Sequence, residues 1–366
     1  MKVLLLLDSL NRGGAEMLAL DVCRNASRHG LDIALVATGG GALESDFKTS
    51  GVEYTRIQRR LPVDFKVVAR LRKIILLRKI NIVHTDQAVT CLHAYLATIG
   101  ADVRRVLTFH GHIHDKKNRC TLNYLSPRMD ANLIVSHSLH KWLVEVADVK
   151  VTENVSILYN GADENRLISQ SNNLRNELGL NKNTLLFSMI GNFYQADRKD
   201  QMTVCRALPK FFDAVPNAHF IFVGGHDQAR EKYQACLDYC KRHNLGDRVN
   251  FLGSRNDVGG ILNEIDVFVL SSIQEGLPIT VIEAMILGKP CILSDIEPLL
   301  EISKEGKYAM MFKKGDENDL AEKMIDLASN ADQRKKLGAM GKRLANDRYS
   351  IDAHLSSLKK LYESMF

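Results

Sequence analysis

Short apolar runs rich in valine, isoleucine, leucine and phenylalanine alternate along this chain with longer stretches of amphipathic, helix-period pattern. The runs predict strands over 3–7, 33–37, 82–84, 105–109, 131–136 and 154–158, then over 185–190, 219–223, 249–252, 267–270 and 291–293. The amphipathic stretches predict helices, among them 17–28, 67–78, 228–242 and 351–365. Strands that are apolar throughout are buried on both faces, which is the condition of a parallel sheet covered by helices. Regular alternation of the two therefore predicts an α/β chain of doubly wound, Rossmann-like sheets.

At 366 residues the chain is long enough for two such domains, each with its own core. The break is expected between 160 and 175. Asn160-Gly161 is a turn signal directly after the strand at 154–158, and a polar stretch at 169–173 separates it from the strand at 185–190. In such sheets ligands bind beyond the carboxyl ends of the strands, so motifs that follow strands carry the chemistry.

Composition narrows the class. Hydrophobic residues make up 45% and charged residues 25%, ordinary for a globular protein. The apolar run at 3–7 ends at Asp8, too short for a signal-peptide core, and no stretch approaches the ~20 apolar residues of a transmembrane helix. A cytoplasmic protein is expected. Seven cysteines, odd in number and irregular in spacing, fit reduced thiols. Cys236 and Cys240 lie one helical turn apart with His243 nearby, and two small core residues on one helix face is the reading preferred over a metal site. The net charge of +6 is uneven: nine basic residues between 56 and 79 stand against Asp64 alone. Such a run is a solvated helix face or an attraction for an anionic partner. It lacks the interleaved aromatics of a nucleic-acid reading face, so no nucleic acid is expected.

The densest chemistry lies in 266–284. A strand ends at Leu270, Glu275 follows in a small-residue loop, and Gly276, Leu277 and Pro278 open a helix, with proline tolerated in its first turn. Backbone N–H groups at such a start bind phosphate. Glu283, about a turn and a half further on, can accept two hydrogen bonds from the vicinal hydroxyls of a ribose. Gly13 and Gly14 likewise remove side chains where a helix starts, either to admit a ligand or as a tight turn in which Glu16 complements the helix dipole. His110, His112 and His114 alternate after the strand at 105–109, a spacing that suggests metal on paper or hydrogen-bonding imidazoles at a strand end. The glycine fingerprints of dinucleotide enzymes and P-loop nucleotidases are absent.

These residues carry a resemblance. The Glu275–Glu283 spacing after the Asp266-Val-Phe-Val-Leu-Ser strand resembles the group 1 (family 4) retaining glycosyltransferases of the GT-B type. Gly13-Gly14-Ala15-Glu16 is similar to that family's N-terminal glycine loop, Tyr159-Asn160-Gly161-Ala162-Asp163 to its hinge, and 221–225 and 249–253 to its middle strands. The likeness spans nearly the whole chain in the right order. It implies two facing Rossmann-like domains with an inter-domain cleft: 1–165 for the acceptor, 166–349 for a nucleotide sugar, and the last helix, 350–366, crossing back to the first.

It also implies roles. Glu275 is expected to contact the donor sugar near its reacting centre, Glu283 the ribose, and Lys199 the phosphates. His110 is expected to donate a hydrogen bond to the sugar or diphosphate, so Glu275, His110 and Lys199 form the expected catalytic set. Gly14, Asn192, Arg198, Gly276, Leu277 and Pro278 complete the donor site, and Gly13, His112 and His114 face the acceptor. Asn192 stands where the family carries an arginine, and Arg198 is the candidate for the missing charge. Glu297-Pro298 replaces the glycines often found after Ser294. The implied reaction is hexosyl transfer, with retention, from a donor taken as a UDP-sugar on family frequency. The implied acceptor is a glycan or lipid-linked sugar of cell-surface polysaccharide or glycoconjugate synthesis. No metal or other cofactor is expected, and residues 56–79 make an anionic membrane surface, on the inner face of the membrane, the expected peripheral partner. Two rivals remain open: a nucleotide-sugar epimerase of similar fold, and a non-catalytic nucleotide-sugar-binding protein.

Overall fold

The computed structural model describes every residue except 152, 153, 171, 172 and 228. Residue 228, where a helix was expected to begin, and 171–172 in the polar stretch thus lie outside the described residues. The chain divides into two compact units, Met1–Gly161 with Ile351–Phe366, and Ala162–Ser350.

Unit 1 holds strands β1 (Lys2–Leu7), β2 (Asp32–Ala37), β3 (Glu53–Arg56), β4 (Ile82–Thr85), β5 (Arg104–Phe109), β6 (Ala131–Ile134) and β7 (Val155–Ile157). Their order is β3-β2-β1-β4-β5-β6-β7, and every pairing is parallel. β1 lies between β2 and β4 and is buried from Val3 to Leu7, which is why its sequence has no polar alternation. Unit 2 holds β8 (Leu185–Ile190), β9 (Ala218–Val223), β10 (Val249–Phe251), β11 (Val267–Leu270), β12 (Cys291–Ser294) and β13 (Met310–Phe312), in the order β10-β9-β8-β11-β12-β13, again all parallel. Strand order reverses between β1 and β4 in the first sheet and between β8 and β11 in the second. Crossovers leave opposite faces at such a point, so the loops part and a crevice opens beyond the carboxyl ends.

The helix Phe65–Arg78 shows how the amphipathic pattern is used. Val67, Leu71 and Ile75 are buried at four-residue spacing against Leu4, Leu6, Val36 and Val83. Asp64 caps it, accepting from the backbone of Lys66 at 3.0 Å and of Arg60 at 3.1 Å. Lys79 ends it with φ 53°. The last helix, Ile351–Glu363, packs on the helix Gly14–Asn25 of unit 1 and buries Leu355, Leu358 and Tyr362.

That last helix also brings polar groups into unit 1. Tyr362 Oη lies 2.5 Å from His84 Nδ1, and His84 Nε2 lies 2.6 Å from Thr108 Oγ1. His354 Nδ1 donates to the Tyr159 carbonyl at 2.8 Å. Burial holds both imidazoles down at about 4, outweighing the carboxylate of Asp86 and, for His354, its backbone bond. Both are therefore neutral in the folded unit at pH 7, while an unfolded histidine titrates near 6.5.

Two predictions follow from this network, both read by denaturant unfolding followed through Trp142, the single tryptophan, which lies in unit 1. Tyr362→Phe strips a buried ring nitrogen of its partner and costs about 1–3 kcal/mol. As pH falls from 7 to 5 the unfolded chain takes protons that the folded imidazoles refuse. Stability present above 6.5 is then lost, on the order of 2 kcal/mol per imidazole at pH 5. Glu16, which burial holds above its usual range, acts in the opposite sense, and two imidazoles against one carboxyl leave the loss on the acid side. His84→Gln and His354→Gln should each flatten the slope; unchanged slopes would refute the assignment.

Candidate active site

In unit 2 the loops that follow β8 and β11 meet at the strand reversal and are joined edge to edge. Asp200 N–H donates to the Ser271 carbonyl at 2.9 Å, Ile273 N–H to that of Arg198 at 2.7 Å, and Lys199 and Ser272 form an antiparallel bridge. The side chain of Lys199 lies across Gly191, where a Cβ would sit 3.0 Å from its Cε. It ends 2.5 Å from Glu275 Oε1, and the same oxygen accepts from Ser272 Oγ at 2.6 Å. Both recorded bonds fall on Oε1, which leaves Oε2 for a further donor. Ser294 Oγ accepts from Ser272 N–H at 2.9 Å, so the end of β12 holds this loop rather than facing a ligand.

Asn192 commits its Oδ1 to the Gly225 N–H at 2.8 Å and serves as a clip between loops. Gly224, with φ 157°, allows this, because a Cβ there would lie 2.2 Å from the Gly191 oxygen. Arg198 is exposed, its guanidinium 5.4 Å from the Tyr194 ring centroid, so this charge stands apart from the Lys199–Glu275 pair. The helix after Glu275 runs Ile279–Ile286, and Pro278 is its N-cap, with φ −72° and ψ 120°, rather than a residue of its first turn. The fixed φ of proline suits both positions, and the extended ψ decides for the cap. Ser271 Oγ and Thr280 Oγ1 are buried beside these loops with no protein partner among the described residues. Buried hydroxyls are normally satisfied, so this is where a polar ligand would be felt.

Glu283 is only 4% exposed, and its Oε1 accepts from Arg166 Nη2 at 2.7 Å, with Arg166 itself 8% exposed. The sequence presents Glu283 as an open carboxylate; the fold gives it a buried cationic partner from the helix Glu164–Ile168. Removing either member would leave the other charge buried and uncompensated.

Unit 1 builds its own cluster at the β1/β4 reversal. Gly13 caps the helix Gly14–Asn25, and a Cβ on Gly13 would lie 2.5 Å from Glu16 Oε2. The room left by Gly13 is thus occupied by the carboxylate of Glu16, to which Ser9 Oγ donates at 3.1 Å. Asp86 follows β4 directly. Its Oδ2 is 3.6 Å from His110 Nε2 and its Oδ1 is 3.8 Å from His84 Nε2. Burial pushes the Asp86 carboxyl up, but the imidazoles of His110, His84 and His354 outweigh it and hold it below its usual range. His110 Nδ1 is buried without a protein partner among the described residues and lines a cavity of about 480 Å³, open mouth included, with Asp86, Thr108, Leu7 and Leu18.

His112 and His114 pack against Trp142 rather than with His110. Among the described residues no group of three or more His, Cys, Asp or Glu side chains is arranged to hold a metal. Cys236 and Cys240 are buried, and the His243 ring stacks on Tyr239 at 4.2 Å.

Sequence reading missed Asp86, Arg166, Ser271, Ser272, Thr280 and Trp142. Asp86 was findable, since it directly follows a strand. Arg166 carried no pattern that could have marked it.

Comparison with known proteins accords with this geometry. Residues 12–166 match the family described as Glycosyltransferase Family 4, and residues 170–344 match Glycosyl transferases group 1. A similar protein is the UDP-Gal:alpha-D-GlcNAc-diphosphoundecaprenol alpha-1,3-galactosyltransferase of Escherichia coli, 26% identical over 82% of this chain and 80% of its own. Another is the N-acetyl-alpha-D-glucosaminyl L-malate synthase of Bacillus anthracis, 24% identical over 82% of this chain and 79% of its own. Among solved structures, HepE of Anabaena in complex with UDP and glucose shares the fold across 100% of both chains, with a TM-score of 0.86 at 17% identity. The two matched segments come within three residues of each other near the unit boundary and leave only 167–169 and the termini uncovered: the chain belongs to the group 1, family 4 glycosyltransferases and has their two-unit Rossmann-like fold.

Proposed function

We propose that this glycosyltransferase moves a hexosyl group from a UDP-sugar to a glycan or lipid-linked acceptor, with retention and without a metal ion, in the synthesis of a cell-surface polysaccharide or glycoconjugate. The observation that carries the proposal is the Lys199–Glu275–Ser272 cluster against the helix start at Pro278. Lys199, with the start of the helix Ile279–Ile286, is the group that would stabilise negative charge developing on a departing nucleoside diphosphate. Glu275 Oε2 is the acceptor for a hydroxyl of the transferred sugar, and Glu283, steadied by Arg166, is the candidate for the ribose. His110, oriented by Asp86, is the candidate for a bond to the sugar or diphosphate through Nδ1. Arg198 is the donor-site cation free to add to Lys199, while Gly13, His112 and His114 belong to the acceptor side. The acceptor class draws on the Escherichia coli relative, whose name specifies a diphosphoundecaprenol-linked sugar.

The membrane surface stands as part of the same proposal, with the fold refining which residues serve. No helix among the described residues is long and apolar enough to cross a membrane. Leu61, Phe65 and Leu77 are exposed, at 59%, 72% and 72%, beside the exposed cations Arg60, Lys66, Arg70 and Lys73. Arg59 and Arg72 drop out of the set: Arg59 pairs with Asp8 at 2.8 Å, and Arg72 donates to the Ile99 carbonyl at 2.7 Å. Each cation near an anionic bilayer contributes about 1 kcal/mol, and the inserted side chains add to it.

Four outcomes test the reading. Glu275→Gln should lower transfer by two orders of magnitude or more, roughly the scale of a lost transition-state contact, with UDP affinity nearly kept. Glu283→Gln, which leaves Arg166 an acceptor, should weaken UDP binding by about 1–3 kcal/mol, whereas Glu283→Ala should instead destabilise unit 2 by about 3–5 kcal/mol. Activity should survive a chelator; an absolute requirement for Mn²⁺ or Mg²⁺ would remove the metal-free part. Finally, sedimentation with anionic vesicles should fall with salt and on neutralising Lys66, Arg70 and Lys73, and equal binding to neutral vesicles would defeat the electrostatic surface.

A further inference from the structure

One part of unit 1 is given no donor contact by the proposed function. The loop after β5 carries His112 and His114 beyond His110, and both meet Trp142, from the helix His137–Glu145. The His112 and Trp142 ring centroids are 4.3 Å apart at 77°, His114 and Trp142 are 5.7 Å apart at 65°, and the two imidazoles lie parallel within 14°. This is not a core cluster. Leu139 and Leu143 of the same helix are fully buried, whereas Trp142 and His112 are half-buried and His114 is exposed. Among the described residues neither the Trp142 indole N–H nor either ring nitrogen of His114 meets a protein hydrogen-bond partner. The two histidines follow β5 on the loop that begins with His110, and Trp142 lies on the helix that follows β6, so both parts come after the carboxyl ends of strands, where ligands of such sheets bind.

Rigid rings in mutual contact, with the Trp142 indole N–H and the His114 ring nitrogens open among the described residues, match one class of ligand well. A pyranose offers an apolar C–H face to an aromatic ring and a rim of hydroxyls to its polar edge. Trp supplies such amphipathic area at low entropic cost. An alkyl chain would instead call for a continuous apolar groove, and here the indole is rimmed by imidazole. We propose that Trp142, His112 and His114 form a pyranose-binding platform that receives a sugar ring of the acceptor. The inference rests on the glycosyltransferase reading and names the subsite on the acceptor side.

The test uses the full-length protein with UDP present. Because Trp142 is the only tryptophan, its emission reports this site alone. Methyl α-glucoside, methyl α-galactoside and methyl N-acetyl-α-glucosaminide are titrated in turn, with sorbitol and glycerol as polyol controls. At least one glycoside should shift or quench the emission saturably while the polyols do not. Binding of that glycoside, measured by saturation-transfer NMR, should weaken about tenfold in Trp142→Leu, the scale of one aromatic contact, and recover in Trp142→Phe. No saturable response to any glycoside, or an equal response to the polyols, would overturn the proposal without recourse to a variant. UDP binding by calorimetry checks the donor reading separately. If wild-type protein failed to bind UDP, that reading would fall, while the glycoside response would still decide this one.

Discussion

In a parallel sheet every connection must leave the carboxyl end of one strand and return over one face of the sheet. Where neighbouring strands send their connections to opposite faces, the loops part, and backbone and side chains at that point are left without a covering helix. This happens once in each unit, between β1 and β4 and between β8 and β11. The placement of Lys199, Glu275 and Ser272 in unit 2, and of Glu16, Asp86 and His110 in unit 1, follows from it. The glycines at these points have one physical task, which is close approach. Gly191 gives room to the Lys199 side chain, Gly224 to the Gly191 carbonyl, and Gly13 to the Glu16 carboxylate. None of these places would accept a Cβ without displacing a group that the site uses.

The loops at both reversals are held by charge and hydrogen bonding as well as by buried apolar residues such as Leu10, Phe193 and Leu277. Lys199 with Glu275 and Arg166 with Glu283 are nearly closed pairs in unit 2, and Asp86 is set between His84 and His110 in unit 1. Buried pairs of this kind add little to stability, because desolvation offsets much of their attraction. Their effect is to fix orientation. Each holds a carboxylate in one direction, and each turns a truncating substitution into a structural lesion. Variants that keep the side-chain shape and an acceptor for Arg166 are for that reason the informative ones at Glu283.

Much of the fold was legible because parallel sheets write continuous apolar runs. The nine interior strands have such a run, and of the four edge strands two escaped. β3, Glu-Tyr-Thr-Arg, and β13, Met-Met-Phe, are short edge strands, polar or only half-buried, so burial left no pattern in them. In the site, residues close in sequence to a strand end were legible: Glu275, Lys199 and His110 all lie on loops at carboxyl ends. Partners brought from far along the chain were not. Arg166 reaches Glu283 across 117 residues and Tyr362 reaches His84 across 278, and neither has a local signature. Pro278 was misplaced by one position because φ alone does not distinguish a cap from a first turn. Asn192 reads from sequence as a missing cation and turns out to clip Gly225, which sequence spacing could not reveal.

The pairing of Lys199 with Glu275 bears on selectivity. An isolated phosphate that drew Lys199 away would leave Glu275 with Ser272 as its one recorded donor, at 2.6 Å, in a nearly buried place, and that loss would count against the ligand. Under the proposed function a nucleotide sugar would bring phosphate oxygens for the ammonium and sugar hydroxyls for the carboxylate in one molecule, so both partners would be replaced at once. A nucleoside diphosphate alone would on the same proposal lie between these cases, since its ribose would meet Glu283 while Glu275 gained nothing. The same two side chains that close on each other would thus rank ligands by whether they carry anion and hydroxyl together, and under the proposed reaction the departing diphosphate would be the weaker-held species once the sugar has left.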